Sequence, residues 1–176
     1  MSTTAQGFTN RLDAVEERLR AHAARDFPTE ALTAPDPLTG ERWEAGQVWA
    51  HVAEFIPYWL GEAGLVVEHR GDQPVPFGRT KSDRVRIAAI ERDRSTDQGR
   101  LWRRTAGDIA SLRAFLDGLG DSAWSARGFH PTLGTMDLSQ IIEEFLVGHV
   151  EQHAGQLDQL LPPRGDPGHD HAVAAE

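Results

Sequence analysis

The chain has 176 residues, no cysteine and a formal net charge of −9, with 18 basic against 27 acidic side chains. This length fits one domain with its own core, and the missing cysteine excludes disulfides, thiolate metal ligands, iron–sulfur clusters and a protein thiol nucleophile. The negative charge argues against a nucleic-acid binder, and no run approaches the roughly 20 apolar residues that cross a bilayer, so we expect a cytoplasmic protein without membrane association.

Apolar residues at helical spacing predict two long helices in the first half of the chain. The first helix covers residues 7–25, and a proline-containing connection without regular structure follows over residues 27–40. The second helix runs over residues 42–70. Pro57 lies inside it, so we expect a kink or a local bulge one turn beyond His51.

Residues 71–81, rich in glycine and proline, separate the second helix from the third. They are too many and too rigid for a tight hairpin between antiparallel helices, so we expect a crossover between parallel ones. The third helix begins at Ser82 or at Arg100, because the sequence leaves open whether residues 95–99 interrupt it. It ends at Leu116, before two glycines.

A predicted loop over residues 121–135 leads to the last helix. Asp137, with Gln140 three residues later, fits a capping box and marks the start of that helix. Four helices with one long crossover predict an all-α four-helix bundle over residues 1–161, with a core that can hold a site. The remaining tail, residues 162–176, is predicted to be disordered.

Three histidines lie on the apolar faces of the second and fourth helices. His149 and His153 are four residues apart and can point the same way, and His51 lies among apolar residues of the second helix. Each unsatisfied polar group in a core costs about 1–3 kcal/mol, so a shared divalent metal ion is the interpretation we favour over three unrelated histidines. Imidazole suits zinc, nickel, iron or copper, and the sequence does not choose among them.

Two segments resemble the DinB/YfiT-like superfamily: Trp43–Glu54 (WEAGQVWAHVAE) and Gly148–Leu157 (GHVEQHAGQL). The order of the helices resembles it too. The resemblance implies an up-down-down-up bundle, with the long crossover between helices two and three. It also implies that His51, His149 and His153 hold a divalent transition metal, with zinc or nickel foremost.

Within that superfamily, the pattern of these two segments most resembles the N-terminal domain of mycothiol-dependent maleylpyruvate isomerases. The resemblance implies a bacterial enzyme, either a transferase or isomerase that uses a low-molecular-weight thiol such as mycothiol or bacillithiol, or a hydrolase. The isomerases have a second domain after the bundle, and this chain ends about fifteen residues after its last helix, so the isomerase activity itself is not implied.

Catalytic residues are not fixed by the sequence. Glu54, one turn after His51, is a candidate fourth ligand or general base, or else an exposed helix carboxylate. Gln156, one turn after His153, either holds that histidine in place or faces solvent. Glu151 is not at the position of the glutamate in an HExxH motif and is predicted to face outward.

Two functions from different classes remain open. The first is a metal-dependent transferase, isomerase or hydrolase acting on a small molecule, for which three protein ligands leave an open coordination position. The second is a non-catalytic bundle that binds a partner or senses a small molecule, with a structural metal or none. Bundles with exposed apolar edges often pair, so a homodimer is a further expectation.

Three other features have alternative interpretations. Residues 79–104 carry nine basic and four acidic side chains, which either attract an anionic substrate or form a solvated helix face. His130 is expected at the surface of a loop, or else lining the approach to the site. The tryptophans at helical spacing are predicted to be core or dimer contacts; they are Trp43, Trp49, Trp59 and Trp102.

Overall fold

The computed structural model describes residues 2–37 and 39–162. Within them, helices account for most of the chain, and the strands are short. The helices are α1 (Thr3–Ala23), α2 (Ala45–Glu68), α3 (Arg84–Asp93), α4 (Gln98–Gly118), α5 (Leu138–Ile142) and α6 (Gly148–Leu160). A 3₁₀ turn covers Asp121–Ser125, and a π turn, Glu143–Val147, joins α5 to α6. The strands are β1 (Val75–Pro76), β2 (Arg127–His130) and β3 (Gly134–Asp137).

Ion pairs show that α1 and α6 run parallel. Arg11 on α1 pairs with Glu151 near the start of α6. About two helical turns further along α1, Arg18 pairs with Asp158 near the end of α6. Both helices therefore advance in the same direction along their shared contact.

The remaining contacts establish the bundle topology. Trp49 and Trp102, each near the start of its helix, pack together with ring centroids 6.4 Å apart, so α2 and α4 run parallel. Gln98, the first residue of α4, donates to the carbonyl of His22 near the end of α1, so these two helices run antiparallel. This is the predicted up-down-down-up four-helix bundle, formed by α1, α2, α4 and the α5–α6 pair.

Side-chain caps set the starts of several helices. Ser2 accepts a hydrogen bond from the backbone of Ala5, so α1 begins at Thr3 and not at residue 7 as predicted. Asp137 and Gln140 form the capping box that the sequence predicted at the start of the last helix.

The predicted third helix is two helices, which resolves the question that the sequence left open. α3 ends at Asp93, whose carbonyl accepts a hydrogen bond from the amide of Thr96 in the turn that follows. Asp97 then caps α4 by accepting a hydrogen bond from the backbone of Arg100. α3 therefore belongs to the crossover between α2 and α4.

α2 continues through Pro57 without a bulge, which was one of the two distortions that we predicted there; the other, a kink, stays a prediction. A proline inside a helix leaves the carbonyl four residues earlier without its usual donor. That carbonyl belongs to Ala53, and the guanidinium of Arg104 on α4 donates to it at 3.5 Å. A side chain of the neighbouring helix thus replaces the missing backbone donor.

The predicted loop over residues 121–135 is wrong in part, because it contains most of a small sheet. β2 pairs antiparallel with β3, and β1 from the crossover pairs parallel with β2. Gly128 on β2 is required by close packing, since a Cβ there would lie 2.5 Å from the ring of Phe77. Strands of two to four residues are too short to show an alternating pattern in the sequence.

The connection over residues 27–40 contains no helix or strand in its described part, as predicted. Trp49 and Trp59 are buried in the bundle, and Trp43 and Trp102 pack against its core, which confirms the core interpretation of the tryptophans. No helix among the described residues is long and apolar enough to span a membrane. Apart from Pro162, the predicted tail lies outside the described residues.

Candidate metal centre

His51 on α2 and His149 and His153 on α6 converge inside the bundle. The Nε2 atom of His149 lies 3.4 Å from Nε2 of His51 and 3.2 Å from Nε2 of His153. Nitrogen ligands about 2.0–2.1 Å from one tetrahedral ion are roughly 3.3–3.4 Å apart. These two separations match a shared ion, and the ligand atoms of all three histidines lie within 4.8 Å of one another. Within the described part of the chain, this is the only cluster of potential ligands of its kind.

Burial keeps the three imidazoles neutral. It lowers the pKa of His51 and of His149 well below 6.5, and the neighbouring histidines lower both further. Burial also lowers the pKa of His153 to about 4. A neutral imidazole has a free lone pair, which is the form that binds a metal. The cluster therefore presents ligands that need no deprotonation at neutral pH.

Gln156 sets the tautomer of His153. The Nδ1 atom of His153 lies 2.7 Å from the side-chain oxygen of Gln156. An amide oxygen only accepts, so Nδ1 carries the proton and Nε2 is left with its lone pair toward the other two histidines. Of the two alternatives for Gln156, the structure shows the one in which it holds the histidine.

Glu54 lies beside His51, on the ring edge away from the cluster. Its carboxylate is 3.7 Å from Nδ1 of His51, whereas Nε2 of the same ring faces His149. The Glu54 side chain is only 12% exposed and pairs with Arg79 at 2.7 Å. It is therefore neither an exposed carboxylate nor placed to bind the same ion as Nε2. Its position suits orienting His51, whose buried Nδ1 has no hydrogen-bond partner among the described residues.

Aromatic rings enclose the cluster. Trp43 stacks on His153 with ring centroids 6.1 Å apart and meets His51 edge-on at 5.2 Å. Phe55, which is fully buried, packs against all three histidines. Apolar rings on these sides exclude water and restrict the histidine rotamers.

A π turn lies directly before His149. A Cβ on Gly148 would lie 2.5 Å from the carbonyl oxygen of Glu143, so the turn requires glycine at this position. The turn ends at Val147, and α6 starts at Gly148, one residue before His149. π turns inside α-helices frequently occur at functional sites. This turn was not predicted from the sequence, in which the glycine before His149 was the available signal.

The sequence profile of the DinB superfamily matches residues 11–157. The chain belongs to the DinB superfamily. A search of curated protein sequences gave no match. The match covers all three histidines and both segments on which the sequence resemblance rested.

Solved structures of other proteins share the DinB-type fold. YfiT from Bacillus subtilis, described as a probable metal-dependent hydrolase with an unusual four-helix bundle topology, is 17% identical with a TM-score of 0.69 over 91% of this chain and 87% of that one. The mycothiol-dependent maleylpyruvate isomerase is 16% identical with a TM-score of 0.63. An uncharacterised protein from Clostridium difficile 630 is 12% identical, with a TM-score of 0.59 over 90% of this chain and 96% of that one.

The isomerase is the longer protein. The alignment covers 89% of this chain but 63% of the isomerase, so the chain spans less than two thirds of that enzyme. At these identities the similarity shows the common fold, and the chemistry must be argued from the residues of this chain.

Two residues of this DinB superfamily member have surroundings that differ from those predicted. Glu151 is only partly exposed, because it binds Arg11 on α1, away from the histidines. His130 is not at the surface; it is buried among aromatic rings, and its Nε2 lies 3.1 Å from the carbonyl of Arg79. A Cβ on Gly78 would lie 2.5 Å from the His130 ring. His130 therefore joins the crossover to the small sheet.

Proposed function

We propose that this protein is a divalent-metal-dependent enzyme that uses a low-molecular-weight thiol in a transfer or isomerisation reaction on a small molecule. His51, His149 and His153 would hold one ion. Imidazole ligands suit zinc, nickel, iron or copper, and the superfamily resemblance puts zinc and nickel foremost. The convergence of the three Nε2 atoms carries the proposal.

The residues around the cluster have separate tasks in this proposal. An ion held by three imidazoles retains an open position, where it supplies the positive charge that lowers the pKa of a bound thiol or water. Gln156 fixes the tautomer of His153, and Glu54 lies on the outer edge of His51. Trp43 and Phe55 exclude water around the imidazoles. The protein has no cysteine, so the thiol must come from a cosubstrate.

The position of Glu54 favours a thiol over water as the reacting group. A hydrolase with a carboxylate base needs that carboxylate on the open side of the ion. Here Glu54 lies behind His51 and is paired with Arg79, and no carboxylate belongs to the cluster among the described residues. A thiol is deprotonated without such a base, because its pKa is already near 8.5 before a cation lowers it.

Hydrolysis is the second candidate. The open coordination position that would accept a thiol would equally accept water, and a zinc-type ion lowers the pKa of bound water to about 7 without a carboxylate. The fold of YfiT, described as a probable metal-dependent hydrolase, is similar. A thiol-dependence test separates the two reactions.

The first experiment is metal analysis of the untagged protein beside His51→Ala, His153→Ala and His69→Ala. We expect about one equivalent of a transition metal in the wild type, in keeping with a single site. His69 is exposed at the end of α2, so its variant should keep the metal while the other two lose it. Failure of the wild type to bind zinc or nickel after reconstitution would overturn the proposal.

Activity then separates the functions. The loaded protein is incubated with an electrophile and with an activated ester, each with and without N-acetylcysteine as the thiol. Thiol-dependent loss of the electrophile that disappears in His153→Ala supports the transferase. Thiol-independent ester cleavage indicates the hydrolase. Metal binding without turnover, combined with a loss of several kcal/mol of stability on metal removal, would indicate a structural site in a non-catalytic bundle.

A further inference from the structure

Three basic side chains of the crossover and of α3 lie near the histidine cluster. They are Arg79, Lys81 and Arg86. The positive charge of Arg86 lowers the pKa of His51, His149 and His153. Arg79 does so for His51 alone and Lys81 for His149 alone. Arg86 is thus the cation whose field reaches the whole cluster.

Two of these three cations already have a carboxylate partner. Arg79 pairs with Glu54 at 2.7 Å, and Lys81 pairs with Asp36 at 3.1 Å. Within the described residues, Arg86 has no carboxylate at ion-pair distance, and its guanidinium donates only to the backbone carbonyl of Lys81 at 3.1 Å.

The acidic groups that act most strongly on Arg86 either bind other groups or lie beyond ion-pair distance from it. Glu54, Glu41 and Asp83 each act on Arg86 without forming an ion pair with it. Glu54 is held by Arg79. Asp83 accepts a hydrogen bond from the backbone amide of Arg86 and so caps α3. Among the described residues, the guanidinium of Arg86 is therefore left without a charged acceptor.

The surroundings of Arg86 make this lack of a partner costly. The side chain is half-buried, and burial lowers its pKa, because the charged form loses solvation. Its guanidinium lies 5.7 Å from the ring centroid of Trp43, the same ring that packs on His51 and His153. A half-buried guanidinium stacked near an aromatic ring is well suited to bind a carboxylate through two parallel hydrogen bonds.

We infer that Arg86 binds the carboxylate of an anionic substrate whose reacting group reaches the ion held by His51, His149 and His153. This inference rests on the proposed function, because it assigns a substrate class to the same site. The local charge supports it: residues 79–104 carry nine basic and four acidic side chains in a chain of net charge −9. Because Arg79 and Lys81 are paired with Glu54 and Asp36 from outside this segment, Arg86 is the one of the three cations that is left to attract an anion.

The test compares two thiols that differ in charge: 3-mercaptopropionate, which carries a carboxylate, and 2-mercaptoethanol, which is neutral. Each is titrated into the cobalt(II)-loaded protein, and the charge-transfer absorption of a cobalt-bound thiolate reports binding. The measured quantity is the ratio of the two Kd values. Comparing this ratio between variants cancels the different intrinsic acidities of the two thiols.

The variants are Arg86→Gln, Arg86→Lys and the control Arg84→Gln. Arg84 is exposed on the same helix, so its variant makes the same change in net charge without removing a group near the site. We expect Arg86→Gln to reduce the preference for the anionic thiol roughly tenfold, the size of one charge-assisted hydrogen-bonded contact. Arg86→Lys should keep part of it, and Arg84→Gln should leave it unchanged.

The outcomes separate this inference from the function on which it rests. Cobalt binding with a thiol ratio that Arg86→Gln does not change, or that Arg84→Gln changes equally, overturns the role of Arg86 and leaves the metal site intact. Cobalt binding without binding of either thiol also overturns it. Failure of the wild type to bind cobalt overturns the proposed function itself. The cobalt d–d spectrum and thermal unfolding of each variant establish that the site and fold are preserved.

Discussion

The two long faces of α6 carry polar side chains that differ in charge: neutral on one face and ionised on the other. The face toward α2 presents His149, which is half-buried, and His153, which is buried; both pack against aromatic rings and are neutral. The face toward α1 presents Glu151 and Asp158, which are partly exposed and paired with arginines. Desolvation explains the difference, because a charge is retained where water and a counter-ion remain and is given up where neither does. One helix thereby supplies a ligand set on one side and ion pairs on the other.

Gly148→Ala should break this arrangement most strongly. The new Cβ would lie 2.5 Å from the Glu143 carbonyl, so the π turn must rearrange and His149 must shift with it. We expect a loss of about 1–3 kcal/mol in the free energy of unfolding and a clear loss of metal affinity, measured by urea unfolding and by competition with a chelator.

Gly155 is the matched control for Gly148. It lies in the middle of α6, and a Cβ there would have nothing within 4 Å. Gly155→Ala should therefore stabilise the protein by about 0.5–1 kcal/mol through helix propensity and leave metal binding unchanged. Equal effects of the two substitutions would show that the π turn does not position His149.

Gln156→Leu should weaken metal binding while leaving the fold nearly as stable. It removes the acceptor that keeps the proton on Nδ1 of His153, and loss of such a partner typically lowers metal affinity roughly 10–100-fold. Gln156→Glu keeps an acceptor and should retain most of the affinity. Gln159→Leu changes an exposed glutamine of the same helix and should have no effect. Chelator competition on the three variants would contradict the assignment if Gln156→Leu behaved like Gln159→Leu.

Much of this site could be predicted because its determinants are local. His149 and His153 are four residues apart among apolar neighbours, and the capping box of Asp137 and Gln140 lies within one helical turn. Such patterns depend on helix geometry alone. They were enough to predict the bundle and the convergence of the histidines.

The features that the sequence analysis missed depend on contacts between distant segments. Glu54 is held by Arg79, 25 residues away, and His130 is buried because the crossover packs over the small sheet. The lack of a carboxylate partner for Arg86 is evident only once α3 is placed beside Trp43. Helical periodicity carries no information about such pairings.

Glu151→Gln should have a smaller effect, restricted to the face toward α1. Glu151 and Arg11 have side chains that are 31% and 37% exposed, and Arg11 also binds Glu143. Ion pairs of this exposure contribute at most about 1 kcal/mol. The loss in unfolding free energy should shrink at high salt, and metal content should stay at the wild-type level. Metal loss in this variant would show that the two faces of α6 are coupled.

The smallest expected effect concerns His22, which meets α6 at Asp158. Burial lowers the pKa of His22 below 6.5 even though Asp158 opposes this. As the pH falls through 6.5, the unfolded chain takes up a proton at this histidine that the folded protein does not, so acidification costs stability. His22→Gln removes that uptake.

Unfolding free energies of the wild type and His22→Gln at pH 7.5 and pH 5.5 test whether His22 lowers stability on acidification. The other histidines titrate in both proteins, so the difference between the two losses isolates His22. The wild type should lose more stability than the variant. A smaller loss in the wild type would mean that Asp158 outweighs burial and raises the pKa of His22. In that case His22, which lies on α1 and meets α6, would be charged in mildly acidic solution, whereas the α6 histidines that face α2 would remain neutral.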